Sequence, residues 1–398
     1  MSILMKQILL FSLLPISLLS LLLLFRLPNH HHHIQHDPFS PLSNPFPPPP
    51  KIAYFISGTN NDGPRIFRLL QATYHPRNYY LLHLDRFASD KQRDQLARMV
   101  TSVQIFVVGG NVNVIEKSNP VNEEGSSPLA LNLHAAAILL RWRKDWDWFV
   151  NLAASDYPLI PQDDFLHILS FLPRELNFIE HETNITMKDY QRIMEVIVDP
   201  RLYLQSAGRM FMGDRKRSMP NAFRFFTGSP HVILSHKLVE FVVLGWESFP
   251  RTLLLYFTNT RYSHKSYFQT LAGNSEFSHT VINSNLRFTN VDAPSAEDHQ
   301  SKRPMDFKRM LGSGAAFAGN FPVDDPIMDI IDSVLLNRGK GMVAPGAWCL
   351  GRTWGGRVSC SEWGDINILR PGPAAKRFEI LLLNIIGSTS FRSSLVDQ

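Results

Sequence analysis

Gly58, Asp85 and Asp156 each come at or just after the end of an apolar run, and their types suit nucleotide binding. An acidic side chain at such a point accepts hydrogen bonds from a ribose or a base, or it caps the helix that follows. In open α/β sheets, ligands bind beyond the carboxyl ends of the strands. The shared position of the three residues favours a binding site, and capping is the alternative for each aspartate.

Several common motifs are absent. The first apolar run is not followed by G-x-G-x-x-G, which disfavours a dinucleotide cofactor, and no G-x-x-x-x-G-K-[ST] occurs, which excludes a P-loop. Neither H-E-x-x-H nor G-x-S-x-G is present, so the sequence offers no sign of a zinc protease or of an α/β-hydrolase nucleophile.

The elements that position these residues alternate along the chain. Predicted strands cover 51–57, 79–84, 103–108, 148–152 and 177–180, and predicted helices begin near Pro64, cover 90–100 and run from about Pro128 to Arg143. This alternation predicts an α/β fold with a mixed, mostly parallel sheet.

An uncharged, leucine-rich segment lies near the N-terminus. A membrane-spanning helix needs about 20 apolar residues, and we interpret residues 8–27 as a transmembrane signal anchor preceded by a short cytosolic tail, 1–7. A cleaved signal peptide, which has a shorter apolar region, is the alternative. Residues 28–50, rich in proline and histidine, predict an extended stem. Residues 51–398 would then form a lumenal domain.

Charge and cysteine content agree with that placement. The net charge of +5 is spread over 398 residues without a continuous basic stripe, so no nucleic-acid partner is predicted. Cys349 and Cys360 are close enough in sequence to close a small loop in an oxidising compartment, or they are two free thiols. The sequon that begins at Asn184 fits lumenal exposure and is a candidate glycosylation site.

A series of short motifs runs through residues 51–385. They are NYYLLHLD at 78–85, LHAAA at 133–137, SDYP at 155–158, IEH at 179–181, YQR at 190–192, VDP at 198–200, GS at 228–229, YFQT at 267–270 and LRPGP at 369–373. Their number, order and spacing resemble the core-2/I-branching enzymes, glycosyltransferase family 14, and within it the plant β-glucuronosyltransferases.

The resemblance implies a Golgi type II membrane protein with a GT-A-like nucleotide-sugar-binding domain. It implies inverting, metal-independent transfer from a UDP-sugar, in the plant branch from UDP-glucuronic acid to the β-galactan of arabinogalactan proteins. In the resemblance Asp85 would contact the uridine, and Glu180 and Lys188 would lie at the acceptor galactose. Gly58 and Asp156, which share with Asp85 a position at the end of a predicted strand, are assigned to the donor side on that ground. A complex with other glycosyltransferases stays open.

No metal or other cofactor is expected. Many metal-dependent glycosyltransferases hold Mn²⁺ with Asp-x-Asp, but Asp85 is followed by Arg86 and Phe87. Asp324–Asp325 lies far downstream and precedes a predicted helix, which favours a capping role. Cationic side chains would have to stabilise the diphosphate instead.

Two positions depart from the family pattern. An inverting transfer needs a carboxylate as general base, which the family supplies as the glutamate of S-P-E-x-Y-F, whereas residues 263–268 read SHKSYF and place Lys265 there. The ordinary pKa of lysine, about 10.4, leaves it protonated at neutral pH. Glu276 is the nearest candidate substitute base, with a surface or capping role as the alternative.

The position of the family's phosphate-binding lysine also differs in this chain. The family pattern F-A-R-K-F reads FAGNF at 317–321, which puts Asn320 at the lysine position. Lys302 and Arg303 lie upstream, near the position where the family has another basic residue that binds the diphosphate. Glu123 and Glu124 replace a Tyr-Arg-Gly-Pro segment, and acidic residues facing a UDP-sugar would weaken its binding. The family's C-terminal cysteine pair matches the two cysteines here.

Two hypotheses follow. The chain is an active UDP-sugar transferase, or it is a catalytically impaired homologue that binds glycan or partners an active transferase.

Overall fold

The computed structural model describes residues 47–387 apart from 183, 204–207, 215, 289–303, 352, 355–356, 359 and 361. The predicted anchor, most of the predicted stem, and Lys302 and Arg303 lie outside the described residues. Within the described part of the chain, no helix has both the length and the apolar character needed to cross a membrane.

The elements are numbered in chain order. The strands are β1 Ile52–Gly58, β2 Tyr79–Leu84, β3 Val112–Val114, β4 Trp148–Ala153, β5 Tyr157–Pro158, β6 Asn177–Glu182, β7 Ile197–Val198, β8 Phe211–Met212, β9 Thr227–Ser235, β10 Val281–Ile282, β11 Arg287–Phe288, β12 Phe317–Ala318, β13 Thr353–Trp354 and β14 Arg357–Val358. The α-helices are α1 Gly63–Thr73, α2 Asp90–Thr101, α3 Gln104–Gly109, α4 Ser127–Trp142, α5 Gln162–Ser170, α6 Met187–Met194, α7 His236–Val243, α8 Ser248–Phe257, α9 Tyr267–Gly273, α10 Pro304–Ser313, α11 Pro326–Ile330 and α12 Pro373–Gly387. Short 3₁₀ turns cover Pro200–Leu202, Ser263–Lys265 and Glu276–Thr280.

A seven-stranded sheet forms the centre, with strand order β10-β6-β9-β4-β1-β2-β3. The pairs β1–β2, β1–β4, β2–β3 and β6–β10 are parallel, whereas β9 runs antiparallel to both β4 and β6. The predicted mixed, mostly parallel α/β sheet is therefore confirmed. Its parallel strands end at one edge, which is where β1, β2 and β4 were expected to deliver functional residues.

The central strand β1 is apolar on both faces, as a strand covered by helices must be. Ile52, Tyr54 and Ile56 pack into the core beneath α1, α2 and α5, and the alternate residues Ala53 and Phe55 pack into the core beneath α4, α7 and α9. This alternation follows from the two-residue period of a strand. The sheet is thus the middle of three layers.

The predicted strand at 103–108 is wrong, because this segment forms α3 and the third strand is β3. Ile105 and Phe106 are buried side by side while Val107 and Val108 are 58% and 67% exposed, a distribution that suits a helix and not an alternating strand. Gly110, at φ 56°, ends the helix in the left-handed conformation. Short apolar runs do not distinguish the two structures by pattern alone.

Cys349 and Cys360 form a disulfide, so the alternative of two free thiols is wrong. Cys349 also forms an antiparallel bridge with Trp363, and the neighbouring Trp348 is buried. Both cysteines, at the ends of the loop that the bond closes, pack against the core.

Candidate functional site

A cleft of about 390 Å³ lies at the carboxyl edge of β1, β2 and β4. Its walls are the β1–α1 loop, the end of β2, the segment before α4 with the first turns of that helix, and the end of β4. In addition, β9 contributes two residues, and the 263–265 turn and the segment after β12 contribute one each. Of the sequence-predicted residues, Gly58, Asp85 and Asn320 line this cleft.

Gly58 closes the end of β1 without a side chain. A Cβ atom here would lie 2.7 Å from the Cβ of Asp62 and 3.0 Å from that of Ala154. Its carbonyl accepts a hydrogen bond of 2.9 Å from the N–H of Asp85, which holds the ends of β1 and β2 together. Glycine thus allows the backbone of three segments to converge at the floor of the cleft.

Asp85 is a buried carboxylate with a fixed orientation. Its Oδ2 accepts a hydrogen bond from Thr59 Oγ1 at 3.1 Å, its Oδ1 accepts one from the N–H of Phe87 at 3.0 Å, and the residue is only 5% exposed. Burial raises its pKa, and these hydrogen bonds oppose the rise. Asp85 does not cap α2, since Ser89 does so in a capping box with Gln92.

Asp156 is occupied by an ion pair and is not part of the cleft wall. Arg287 donates two hydrogen bonds of 2.7 Å to its carboxylate, and the N–H of Ala153 donates another of 2.6 Å. Burial acts to raise the pKa of Asp156, but the charge of Arg287 holds it below the ordinary value. A Cβ at Gly319 would lie 2.7 Å from Asp156 Oδ1, so glycine there gives the pair its space.

Lys265 and Asn320 stand where the resemblance places a base and a phosphate-binding lysine. Lys265 ends the 263–265 turn with an exposed side chain, and its Nζ lies 5.0 Å from the ring centre of Tyr262. Asn320 lines the cleft with φ 60°, a left-handed conformation that asparagine tolerates better than most residues. The next N–H, of Phe321, donates to Ser155 O at 3.0 Å and ties this segment to the end of β4.

Arg192, on α6, anchors the segment that carries Lys265. Its guanidinium donates to the carbonyl of Arg261 at 2.7 Å, to Ser266 Oγ at 2.9 Å and to Thr227 Oγ1 at 3.2 Å. The YQR motif therefore acts by holding this turn against β9.

Of the two glutamates before α4, only Glu123 lines the cleft. Glu124 forms an ion pair with Arg261 instead. The buried carboxylate of Asp199 fixes this segment. It accepts hydrogen bonds from the N–H and the hydroxyl of Ser127 at 3.0 and 2.7 Å, and it lies against Gly125, where a side chain would collide with it.

Three histidines that the sequence did not single out as site residues also line the cleft. Burial lowers the pKa of His83 and of His231 to about 4 and that of His264 to about 3, so all three are neutral at physiological pH. Within the described chain, both ring nitrogens of His83 and the Nδ1 atoms of His231 and His264 are buried without a hydrogen-bond partner. Neutral imidazoles in the wall provide polar surface without charge, which suits a nucleoside or a sugar.

The remaining sequence-predicted residues lie outside the cleft wall. Glu180, on β6, is partly buried, and burial together with the charge of Glu182 raises its pKa. Lys188 is exposed on α6, Glu276 is exposed at the start of its 3₁₀ turn, and Asn184 is exposed. Glu276 therefore does not line the cleft that Asp85 lines.

Comparison with known proteins places this geometry in a family. The model of the Core-2/I-Branching enzyme family matches residues 52–311, a range that includes every strand of the central sheet. The chain belongs to this family.

Named relatives agree with the match. The chain is 45% identical over 348 residues to Beta-glucuronosyltransferase GlcAT14A of Arabidopsis thaliana, covering 87% of this chain and 78% of that protein. It is 42% identical over 345 residues to Beta-glucuronosyltransferase GlcAT14C of the same plant, covering 86% and 84%. Human Xylosyltransferase 1 is 28% identical over 244 residues, covering 61% of this chain and 24% of that protein. These relatives support a glycosyltransferase.

A solved structure, apo mouse Xyloside xylosyltransferase 1, covers 57% of this chain and 83% of that chain at 11% identity, with a TM-score of 0.30. That score is too low to establish a shared fold.

Proposed function

We propose that this chain binds a UDP-sugar in the cleft and transfers the sugar, glucuronic acid, to a β-galactan of the arabinogalactan-protein type with inversion. The observation that supports it best is the cleft itself, in which the oriented carboxylate of Asp85 stands at the carboxyl edge of parallel strands. The donor and acceptor follow from the family resemblance and from relatives named β-glucuronosyltransferases.

In this proposal Asp85 accepts a hydrogen bond from the uridine, and neutral histidines complete the polar wall. Arg65, the single cationic side chain among the described residues of the wall, is engaged with Asp62 at 3.0 Å and with the carbonyl of Phe321 at 2.7 Å. Stabilisation of the diphosphate is therefore assigned to Lys302 and Arg303, and no metal is required. The Golgi location and the type II anchor at 8–27 belong to the same proposal.

A second candidate is a catalytically impaired homologue that binds glycan or a partner transferase. It is favoured by one observation, namely that an exposed lysine and a neutral asparagine, Lys265 and Asn320, occupy the expected positions of the base and of a phosphate-binding cation.

Calorimetry and a transfer assay separate these candidates. The full chain, purified in detergent, is titrated with UDP and with UDP-glucuronic acid and is then incubated with labelled donor and a β-1,6-galactan, with and without EDTA. Binding followed by EDTA-resistant transfer supports the enzyme, and binding without transfer supports the impaired homologue. No binding of either nucleotide contradicts the enzyme and the UDP-sugar site, and leaves only a homologue that binds glycan or a partner. Strict dependence on added Mn²⁺ contradicts the metal-free course.

The first prediction concerns the uridine contact. Asp85→Asn replaces the oriented carboxylate by a neutral amide. We expect UDP affinity to fall about tenfold or more, since hydrogen bonds to charged groups contribute about 1.5–3 kcal/mol. Asp94→Asn, an exposed position on α2, is the control and should bind UDP as the unchanged chain does. If both variants bind UDP with equal affinity, Asp85 does not contact the uridine.

A further inference from the structure

The cleft wall contains three carboxylates among its described residues, and two of them are engaged. Asp62 accepts hydrogen bonds from the N–H of Thr59 at 2.9 Å and from Arg65 at 3.0 Å. Asp85 accepts from the Thr59 hydroxyl and from the N–H of Phe87. The third carboxylate, Glu123, accepts no hydrogen bond and forms no ion pair with any residue that the structure describes. Its oxygens are therefore available to a bound molecule.

The segment that carries Glu123 is joined directly to the segment that carries Lys265. The N–H of Tyr262 donates to the carbonyl of Glu124 at 2.8 Å, and Arg261 forms an ion pair with the Glu124 carboxylate. Within the loop, the N–H of Gly125 donates to the carbonyl of Asn122 at 2.8 Å. Glu123 is thus held on a rigid turn beside the position where the resemblance expects the general base.

The charges around Glu123 come from both sides of the cleft. Partial burial raises the pKa of the Glu123 carboxyl group, and the negative charge of Asp85 raises it further. The positive charge of Lys265 lowers it. His264, in the same turn as Lys265, is neutral because it is buried. Lys265 is therefore the nearby cation that acts on Glu123, and it favours the ionised form.

We propose that Glu123 is the general base of the transfer, and that Lys265 is a positioning residue that stabilises its carboxylate. This inference rests on the proposed glycosyl transfer. The proton of the acceptor hydroxyl passes to Glu123 as the hydroxyl oxygen forms a bond to the anomeric carbon. The bond from that carbon to the diphosphate oxygen breaks, its electron pair leaves with UDP, and the proton on Glu123 later returns to solvent. Glycoside and UDP are the products, with the anomeric centre inverted.

The test uses the full chain in detergent with UDP-glucuronic acid and a β-1,6-galactan. Glu123→Gln should lower kcat/KM about 100-fold or more, the usual contribution of a general base, while calorimetric UDP binding persists and shows that the variant is folded. Glu123→Asp, which keeps a carboxylate, should recover part of the loss. Glu116→Gln, an exposed position between β3 and α4, is the matched control and should retain full activity.

A pH profile tests the role of Lys265. Activity should fall at acid pH as Glu123 becomes protonated, and Lys265→Met should move this limb to higher pH, because loss of the positive charge raises the pKa of Glu123. An unmoved limb would overturn the positioning role. A Glu123→Gln variant as active as the unchanged chain would overturn the base role and leave the proposed function standing. An unchanged chain that binds UDP but transfers nothing would overturn both the transferase and its base.

Discussion

Gly58 lies where β1, β4 and the loop before α1 come together, and its missing side chain is a requirement of the cleft. A Cβ there would be 2.7 Å from the Cβ of Asp62, which is closer than carbon atoms approach in proteins. Two of the three nearest atoms, the Cβ atoms of Asp62 and Ala154, are at the bases of side chains, so they cannot swing aside as the end of a long side chain would.

Gly58→Ala should therefore lower the free energy of unfolding by about 1–3 kcal/mol, the usual cost of overpacking a well-packed site, and weaken UDP binding. Denaturant unfolding and calorimetry measure the two effects. Gly312→Ala, in α10, meets no atom within 4 Å and serves as the control, with no loss of stability expected. If the two variants have the same free energy of unfolding and the same UDP affinity, the end of β1 can accommodate a side chain.

Part of this residue-level picture can be predicted from sequence. Gly58 and Asp85 follow apolar runs, and parallel strands deliver their ends to one edge of a sheet, so their proximity follows from the pattern. Glu123 is different, because its place depends on Tyr262 binding the next carbonyl and on Asp199 binding Ser127 across 72 residues. No local pattern encodes such contacts. The ion pair between Asp156 and Arg287, which is 131 residues away, cannot be predicted from local sequence for the same reason.

At the level of elements, the N-terminus of α4 depends on a side chain from outside the helix. Ser126 makes no side-chain cap, and the buried carboxylate of Asp199 accepts the N–H groups of Ser126 and Ser127 at 3.2 and 3.0 Å instead. A carboxylate at this end of a helix satisfies free N–H groups and interacts favourably with the helix dipole. The VDP motif of the sequence thus has a structural role.

Asp199→Ala should lower the free energy of unfolding by about 1–3 kcal/mol, because it leaves buried N–H groups without an acceptor. It should also reduce transfer, since the loop with Glu123 precedes this helix. Urea unfolding monitored by circular dichroism gives the first effect. Asp214→Ala, at an exposed position, is the control. No loss of stability would mean that water replaces the carboxylate.

Element types were easier to predict than their pairing. Long helices and buried strands have clear periods, whereas the run at 103–108 is too short for its apolar character to separate α3 from a strand. The sequence of β9 also does not show that this strand lies antiparallel between β4 and β6, because the direction of a strand depends on distant partners.

At the level of the whole molecule, the C-terminal part is tied back to α5 by two buried carboxylates. Asp163 accepts hydrogen bonds from the N–H groups of Ala347 and Arg370 at 2.8 and 2.9 Å, and Asp164 accepts one from the N–H of Gly372. The LRPGP motif thus joins α12 to the core. The disulfide between Cys349 and Cys360 lies in the same region and limits the freedom of the chain there.

Replacing both cysteines by serine should lower the free energy of unfolding by about 2–4 kcal/mol, as expected for loss of a native cross-link. Thermal unfolding with and without dithiothreitol measures the effect. The reductant should lower the Tm of the unchanged chain and leave that of the double variant where it is. A Tm of the unchanged chain that ignores complete reduction would show that the loop is held by packing alone.

The ion pair between Arg287 and Asp156 also limits which substitutions this protein can accept during evolution. Its guanidinium lies 3.2 Å from where a Cβ at position 319 would stand, so Arg287 fills the space that a longer residue there would occupy. A basic residue at 319 would have to displace the ends of the Asp156 and Arg287 side chains, and loss of Arg287 by itself would leave Asp156 buried without its countercharge. Positions 287 and 319 are therefore coupled, since a change at one alters the space or the charge available at the other.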